Sequence, residues 1–204
     1  VLVPDLNAGC SLADSCKASE LAKFKDKYPD YKVVSYINTS AEVKALTDVV
    51  VTSSNAISII ESFPKDEKII FCPDRNLGTY INNITGRNML LWDGFCHVHE
   101  TFSIDILKDL KKIYSDAEII SHPECKQNIA DISNFVGSTA AMIKYVGESS
   151  CKIFIIVTES GIMYELQKKY PNKMFIPAPP LKERGTNNIC EYMRLNTLEK
   201  VYDI

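Results

Sequence analysis

The chain has 204 residues, 46% of them hydrophobic, and its 26 acidic and 23 basic side chains leave a formal charge of −3. That is enough apolar material for the core of one or two domains, and it leaves no basic patch or stripe for nucleic acid; the run Lys108-Asp109-Leu110-Lys111-Lys112 mixes acids and apolar residues as a solvated helix face does. No apolar run approaches the roughly 18 residues of a membrane span, and Val1-Leu2-Val3-Pro4-Asp5 lacks the basic start and cleavage site of a secretory leader.

In chain order, Leu21, Phe24 and Tyr28 recur at three- and four-residue spacing and predict a helix. A β-branched strand is expected over 32–35, a helix over 41–46, a strand over 49–51, a helix over 56–63 and a strand over 68–71, which ends the core of the unit. Strands alternating with helices at this spacing predict an α/β fold with short parallel sheets and helices on both faces. Shifting the sequence by 86 positions, the separation of Cys10 and Cys96, lays Leu21, Tyr28, Asp30 and Val33 over Leu107, Tyr114, Asp116 and Ile119. After a slip of one residue, the stretch from Ile69 to Asp74 falls on that from Phe154 to Glu159.

The repeat divides the chain into αβα domains over 11–96 and 97–190, the second lengthened by an insertion around 177–188. Segments 1–10 and 191–204 read as remnants of a first domain, so a pseudo-threefold ring of units requires roughly 75 further residues before Val1. Polar side chains gather at equivalent strand ends: Tyr36 and Asn38, Ser53, His122 and Glu124, Ser138 and Thr139. Ligands of open parallel sheets bind there, where helix N-termini offer free N–H groups to anions, although a Ser-Thr pair entering a helix also serves as an N-cap.

Seven cysteines, an odd number spread through a chain of ordinary size, predict reduced thiols in a cytosol-like compartment rather than a disulfide scaffold. Cys10 and Cys96 each follow a turn, Asn7-Ala8-Gly9 and Trp92-Asp93-Gly94, and precede a helix. Cys190 follows Gly185-Thr186-Asn187-Asn188 in the same way. Three such cysteines around a threefold ring converge on one point, and a helix N-terminus favours thiolate, the soft ligand of an iron–sulfur cluster. Cys16, Cys72, Cys125 and Cys151 break the pattern and read as core residues. Cys96-His97-Val98-His99 offers zinc ligands by type but lacks the paired spacing of a structural zinc site, so its histidines read as packing or ligand-supporting residues.

The strings Asn38-Thr39-Ser40-Ala41-Glu42-Val43-Lys44, Thr52-Ser53-Ser54-Asn55-Ala56, Pro73-Asp74-Arg75-Asn76-Leu77-Gly78, Trp92-Asp93-Gly94-Phe95-Cys96, His122-Pro123-Glu124-Cys125, Val136-Gly137-Ser138-Thr139 and Met193-Arg194-Leu195-Asn196-Thr197-Leu198 together resemble the quinolinate synthase family along essentially the whole chain. The resemblance implies a cytoplasmic transferase of NAD biosynthesis with three pseudo-symmetric αβα domains, the first largely missing here. It implies an oxygen-sensitive [4Fe–4S] cluster held by Cys10, Cys96 and Cys190, with one iron open. The implied reaction condenses iminoaspartate with dihydroxyacetone phosphate to quinolinate, phosphate and water, with possible functional coupling to an aspartate-oxidising enzyme. By motif match, Tyr36 and Asn38 contact substrate carboxylate or carbonyl oxygens, while Ser53, Ser138 and Thr139 hold carboxylate or phosphate. His122 and Glu124 handle protons, and Tyr36 joins them as a catalytic residue. A further His and Ser that the family supplies from its first domain precede Val1. The alternatives are a non-catalytic remnant that binds a cluster or an anion, and a hydro-lyase acting on another hydroxyacid.

Overall fold

The computed structural model describes residues 2–179 and 188–204. Most of the expected insertion around 177–188, including Gly185, Thr186 and Asn187 of the turn before Cys190, lies outside the described residues.

Two four-stranded sheets, both wholly parallel, form the frame. The first contains β1 (Lys32–Tyr36), β2 (Val49–Val51), β3 (Ile69–Cys72) and β4 (Leu90–Leu91), in the order β2-β1-β3-β4. All four residues of β3 and the last four of β1 are buried, as expected of parallel strands covered on both faces. Successive side chains therefore enter different cores. Val34, Tyr36 and Phe71 pack with Ile60 of α4 (Ala56–Ser62) and with Leu77 and Ile81 of α5 (Arg75–Thr85). Val33 and Ile70 pack on the other face with Leu21 of α2 (Ala18–Lys27) and Val43 of α3 (Ala41–Ala45). The result is an αβα sandwich.

The second sheet has the same plan: β5 (Glu118–Ser121), β6 (Phe135–Val136), β7 (Ile153–Val157) and β8 (Met174–Pro177), in the order β6-β5-β7-β8. Ile119, Ile155 and Val157 meet Leu107 of α7 (Ile104–Ile113) and Ile129 of α8 (Gln127–Ala130). Ile120, Phe154 and Ile156 meet Met142 and Val146 of α9 (Thr139–Glu148) and Leu166 of α10 (Ile162–Lys169).

The 86-residue repeat extends to register and hydrogen bonding. Ser35 pairs with Val50 and with Cys72; its counterpart Ser121 pairs with Val136 and with Val157, one position early, where the sequence slips. Asp48 Oδ2 accepts from Val33 N at 2.8 Å, and Asn134 Oδ1 accepts from Ile119 N at 2.9 Å. Side-chain oxygens thus complete the edge ladder at the same place twice.

Each unit continues beyond its expected third strand by a helix and a short edge strand, α5 with β4 and α10 with β8. The first of these helices has strong local signals: Asp74 caps it by accepting from Leu77 N at 2.8 Å, and Gly86 ends it with φ of 67°. The edge strand β4 has two residues, too few to display a period. Among the described residues no helix is long and apolar enough to cross a membrane.

Candidate functional site

Three one-turn helices carry the seam cysteines: α1 (Ser11–Asp14), α6 (His97–Glu100) and α11 (Glu191–Arg194). Cys10, Cys96 and Cys190 are their N-cap residues, with ψ of 119°, 121° and 109°. Such an extended residue directs its side chain across the first helical turn. The helices touch: Ser11 Oγ lies 2.6 Å from His97 Nδ1, and the His97 ring meets Tyr192 edge-on at 5.7 Å. A fourth helix, α12 (Leu198–Tyr202), is tied to the chain's start, since Lys200 Nζ donates to Asp5 Oδ2 at 2.5 Å.

Two acids occupy equivalent places after β3 and β7 and brace the next seam. The Asp74 carboxylate faces the N–H of Cys96, and Glu159 Oε1 accepts from Cys190 N at 3.3 Å. Gly94 lets the first seam close. Its carbonyl accepts from Arg75 N at 2.8 Å, and a Cβ there would run into Pro73 O and Ser15 Oγ.

One cavity of about 810 Å³ lies at the carboxyl ends of the strands and is lined by all three cysteines. Tyr36, Asn38, Ser53, His122, Glu124 and Thr139 line it too. Ser138 does not; its hydroxyl accepts from Ala141 N and caps α9, while Thr139 beside it faces the cavity. Sequence reasoning gave His99 only a packing or ligand-supporting role and did not name Thr158 and Glu159, yet all three are wall residues. Glu159 was within reach, because the repeat aligns it with Asp74.

The cavity's charged centre is Glu124, flanked by two histidines. His99 Nδ1 is 3.0 Å from Oε2 and His122 Nδ1 is 3.7 Å from Oε1. The first contact is close enough for an ion pair but lies off the hydrogen-bond direction, so Nδ1 has no hydrogen-bond partner among the described residues. Burial opposes the Glu124 anion, yet the two imidazoles and the Tyr36 hydroxyl hold it below the ordinary carboxylate range. Burial, the Glu124 charge and the hydrogen bond to that carboxylate all raise Tyr36, outweighing the hydroxyl of Ser53, so it stays a phenol. His122 Nδ1 accepts from Glu124 N at 3.4 Å, which assigns the proton to Nε2.

The thiols depart from expectation. Burial, together with the nearby charges of Glu124 and Cys190, raises Cys10 despite the N–H groups of Ala13 and Leu12. Burial and Glu124 raise Cys96 further. A helix N-terminus should favour thiolate, but a single turn has little dipole and the sulfurs are withdrawn from water. A cation is therefore what would make these sulfurs ionise together.

Burial pushes His122 down to about 4 from its ordinary 6.5, with His99 adding to the fall and Glu124 opposing it. The unfolded chain binds this proton at higher pH than the fold does. Stability is therefore complete above pH 6.5 and is expected to fall by about 3 kcal/mol as pH drops to 4. Urea denaturation across this window should show that slope, and His122→Asn should flatten it; an equal slope in the variant would place the titration elsewhere.

Comparison with known proteins identifies the family. The model of the family described as Quinolinate synthetase A protein (NadA) matches residues 1–204. The quinolinate synthase of Thermosynechococcus vestitus is 54% identical over 202 residues, which cover 99% of this chain and 63% of that protein. That of Synechocystis is 55% identical over 202 residues, with 99% and 63% covered. That of Chloroherpeton thalassium is 54% identical over the same length and shares. The chain thus spans less than two thirds of the length of these relatives. From its first residue to its last, this chain belongs to the quinolinate synthetase A family.

Proposed function

We propose that the chain supplies the cluster site and most of the substrate walls of a quinolinate synthase, condensing iminoaspartate with dihydroxyacetone phosphate to quinolinate, phosphate and water. The observation that carries this reading is the recurrence of one arrangement three times. A cysteine caps a four-residue helix at each seam, and all three cysteines line one cavity. The donor set fits an iron–sulfur cluster. It offers three soft ligands at one cavity, and burial disfavours ionisation of Cys10 and Cys96 unless a cationic partner is present. When bound, a [4Fe–4S] cluster with three protein ligands offers one iron as a Lewis acid toward a hydroxyl or carbonyl oxygen.

The chain's own residues bind, orient and move protons. Both substrates are anionic, and Asn38, Ser53 and Thr139 present amide and hydroxyl groups where their carboxylate and phosphate groups would sit. Tyr36, held as a phenol, donates a hydrogen bond to substrate oxygen. Glu124, held as an anion, takes protons during imine formation and dehydration. Neutral His122 offers its Nε2–H to a developing oxyanion. Ser138 acts through α9, whose first turn it caps beside Thr139.

The same reading treats 1–10 and 191–204 as parts of a first αβα domain, with 11–96 and 97–190 as the second and third. Lys200–Asp5 joins these end segments, and both expose apolar residues: Leu6 is 92% exposed and Leu198 86%. The seven cysteines are all free, which suits a reducing compartment such as the cytoplasm. In a protein that completes this chain to the length of its relatives, reconstituted anaerobically with iron and sulfide, the two substrates are expected to yield quinolinate. An intact cluster with no quinolinate formed would instead favour a non-catalytic, cluster-binding role.

A further inference from the structure

We infer that Asn76 and Tyr80 are positioning residues: from one face of α5, in the first unit, they hold the two strand-end turns of the second unit that carry Glu124 and Thr139. The inference rests on the proposed function for the roles of Glu124 and Thr139, and goes beyond it in assigning what keeps them in place. Asn76 Nδ2 donates to the backbone carbonyl of Glu124 at 3.1 Å, and the Tyr80 hydroxyl donates to that of Val136 at 3.3 Å. Glu124 comes three residues after the end of β5, and Val136, the last residue of β6, comes three before Thr139. Four apart in sequence, Asn76 and Tyr80 project from the same side of α5. Neither lines the cavity, so both act through the turns they grip.

The site needs such a hold because of how it is assembled. Tyr36 ends β1 and hydrogen-bonds the Glu124 carboxylate, so this pair crosses from one sheet to the other. Among the described residues no strand pairing joins the two sheets, which leaves helices and side chains at the junction to set their separation. α5 is anchored in its own unit: Leu77 and Ile81 belong to the same core cluster as Tyr36 and Phe71. Gly78 lets the helix press onto that sheet, where a Cβ would run into Leu91 and Phe71. The helix also packs against α8, which follows the Glu124 turn. One rigid element thus packs with Tyr36 and grips the backbone of Glu124.

The Asn76 amide is well placed for this. Its other neighbour is Glu100 Oε2 at 3.4 Å, and two acceptors on one side assign the nitrogen to that side. Glu100, from α6, also meets Arg75 at 3.4 Å and Lys126 at 3.6 Å, which ties the same junction from both units. The pair is not a product of the repeat. The alignment that lays Asp74 over Glu159 lays Asn76 and Tyr80 over Gly161 and Glu165, which line the cavity instead. The αβα plan by itself therefore requires no amide and phenol at these places.

Hydrogen exchange on the full chain reads the hold directly. Asn76→Ala should speed amide exchange about fivefold in the turn after β5, and Tyr80→Phe should do so in the turn after β6, each in its own segment. In the completed protein at matched iron content, Asn76→Ala should lower kcat by about 10²-fold with KM little changed, since it frees the proton-accepting carboxylate. Tyr80→Phe should instead raise KM about fivefold for a substrate anion, since it frees Thr139. Asn82→Ala is the control. It breaks two hydrogen bonds between α5 and Met89 inside the first unit, and should lower stability while kcat and KM hold. Three outcomes overturn the proposal: faster exchange spread evenly over the chain, an undiminished kcat in Asn76→Ala, or the same kinetic losses in Asn82→Ala. If the completed protein makes no quinolinate, the proposed function falls, and local exchange still decides whether α5 holds the two turns. Tyr80→Phe removes a single oxygen and keeps the test readable if Asn76→Ala does not fold.

Discussion

Serine at Cys10, Cys96 or Cys190 is expected to abolish the brown iron–sulfur chromophore of the reconstituted chain, taking bound iron from about four per chain to below about one. Each cysteine is the N-cap residue of a one-turn helix and lines the shared cavity, so a serine there suits the N-cap position but puts a hard hydroxyl where a soft ligand was. Serine at Cys16, Cys72, Cys125 or Cys151 should leave the chromophore in place. Cys16 and Cys72 belong to the core beneath β1 and β3, and Cys125 packs in the second unit, where its sulfur donates to Val157 O at 3.4 Å. Iron analysis with far-UV circular dichroism separates lost ligands from lost fold. Full iron in Cys190→Ser would contradict the threefold arrangement.

Glu124→Gln is expected to lower kcat by about 10²–10⁴-fold in the completed protein while leaving its cluster content intact. Glutamine fills the same space between His99, His122 and Tyr36, yet it cannot take up a proton. The loss should fall on kcat more than on KM, because the proposed function assigns the substrate anions to Asn38, Ser53 and Thr139. Steady-state kinetics at matched iron content measure this split, and an undiminished kcat would remove Glu124 from proton transfer.

Much of the frame was legible because buried parallel strands are short β-branched or apolar runs. The runs at Val33–Val34, Val49–Val51 and Ile69–Ile70–Phe71 mark three strands of one unit, and the repeat carries them to the next. The fourth strand was not legible, since Leu90 and Leu91 gain their strand geometry from pairing with Ile70 and Phe71. At the site, the strand-end polar residues stood out through repetition and family resemblance. His99 did not, because its contact with Thr158 spans 59 positions and depends on how two sheets meet. Cys10 and Cys96 mislead in the opposite sense: a cap position suggests ionisation, while burial, visible only in the fold, opposes it.

Iron and acid-labile sulfide in the anaerobically reconstituted chain test the central claim most directly. Three thiolates around one cavity predict about four of each per chain, held in a form that protects Cys10, Cys96 and Cys190 from alkylation. A chain that takes up no sulfide, with those three cysteines still reactive, would contradict it.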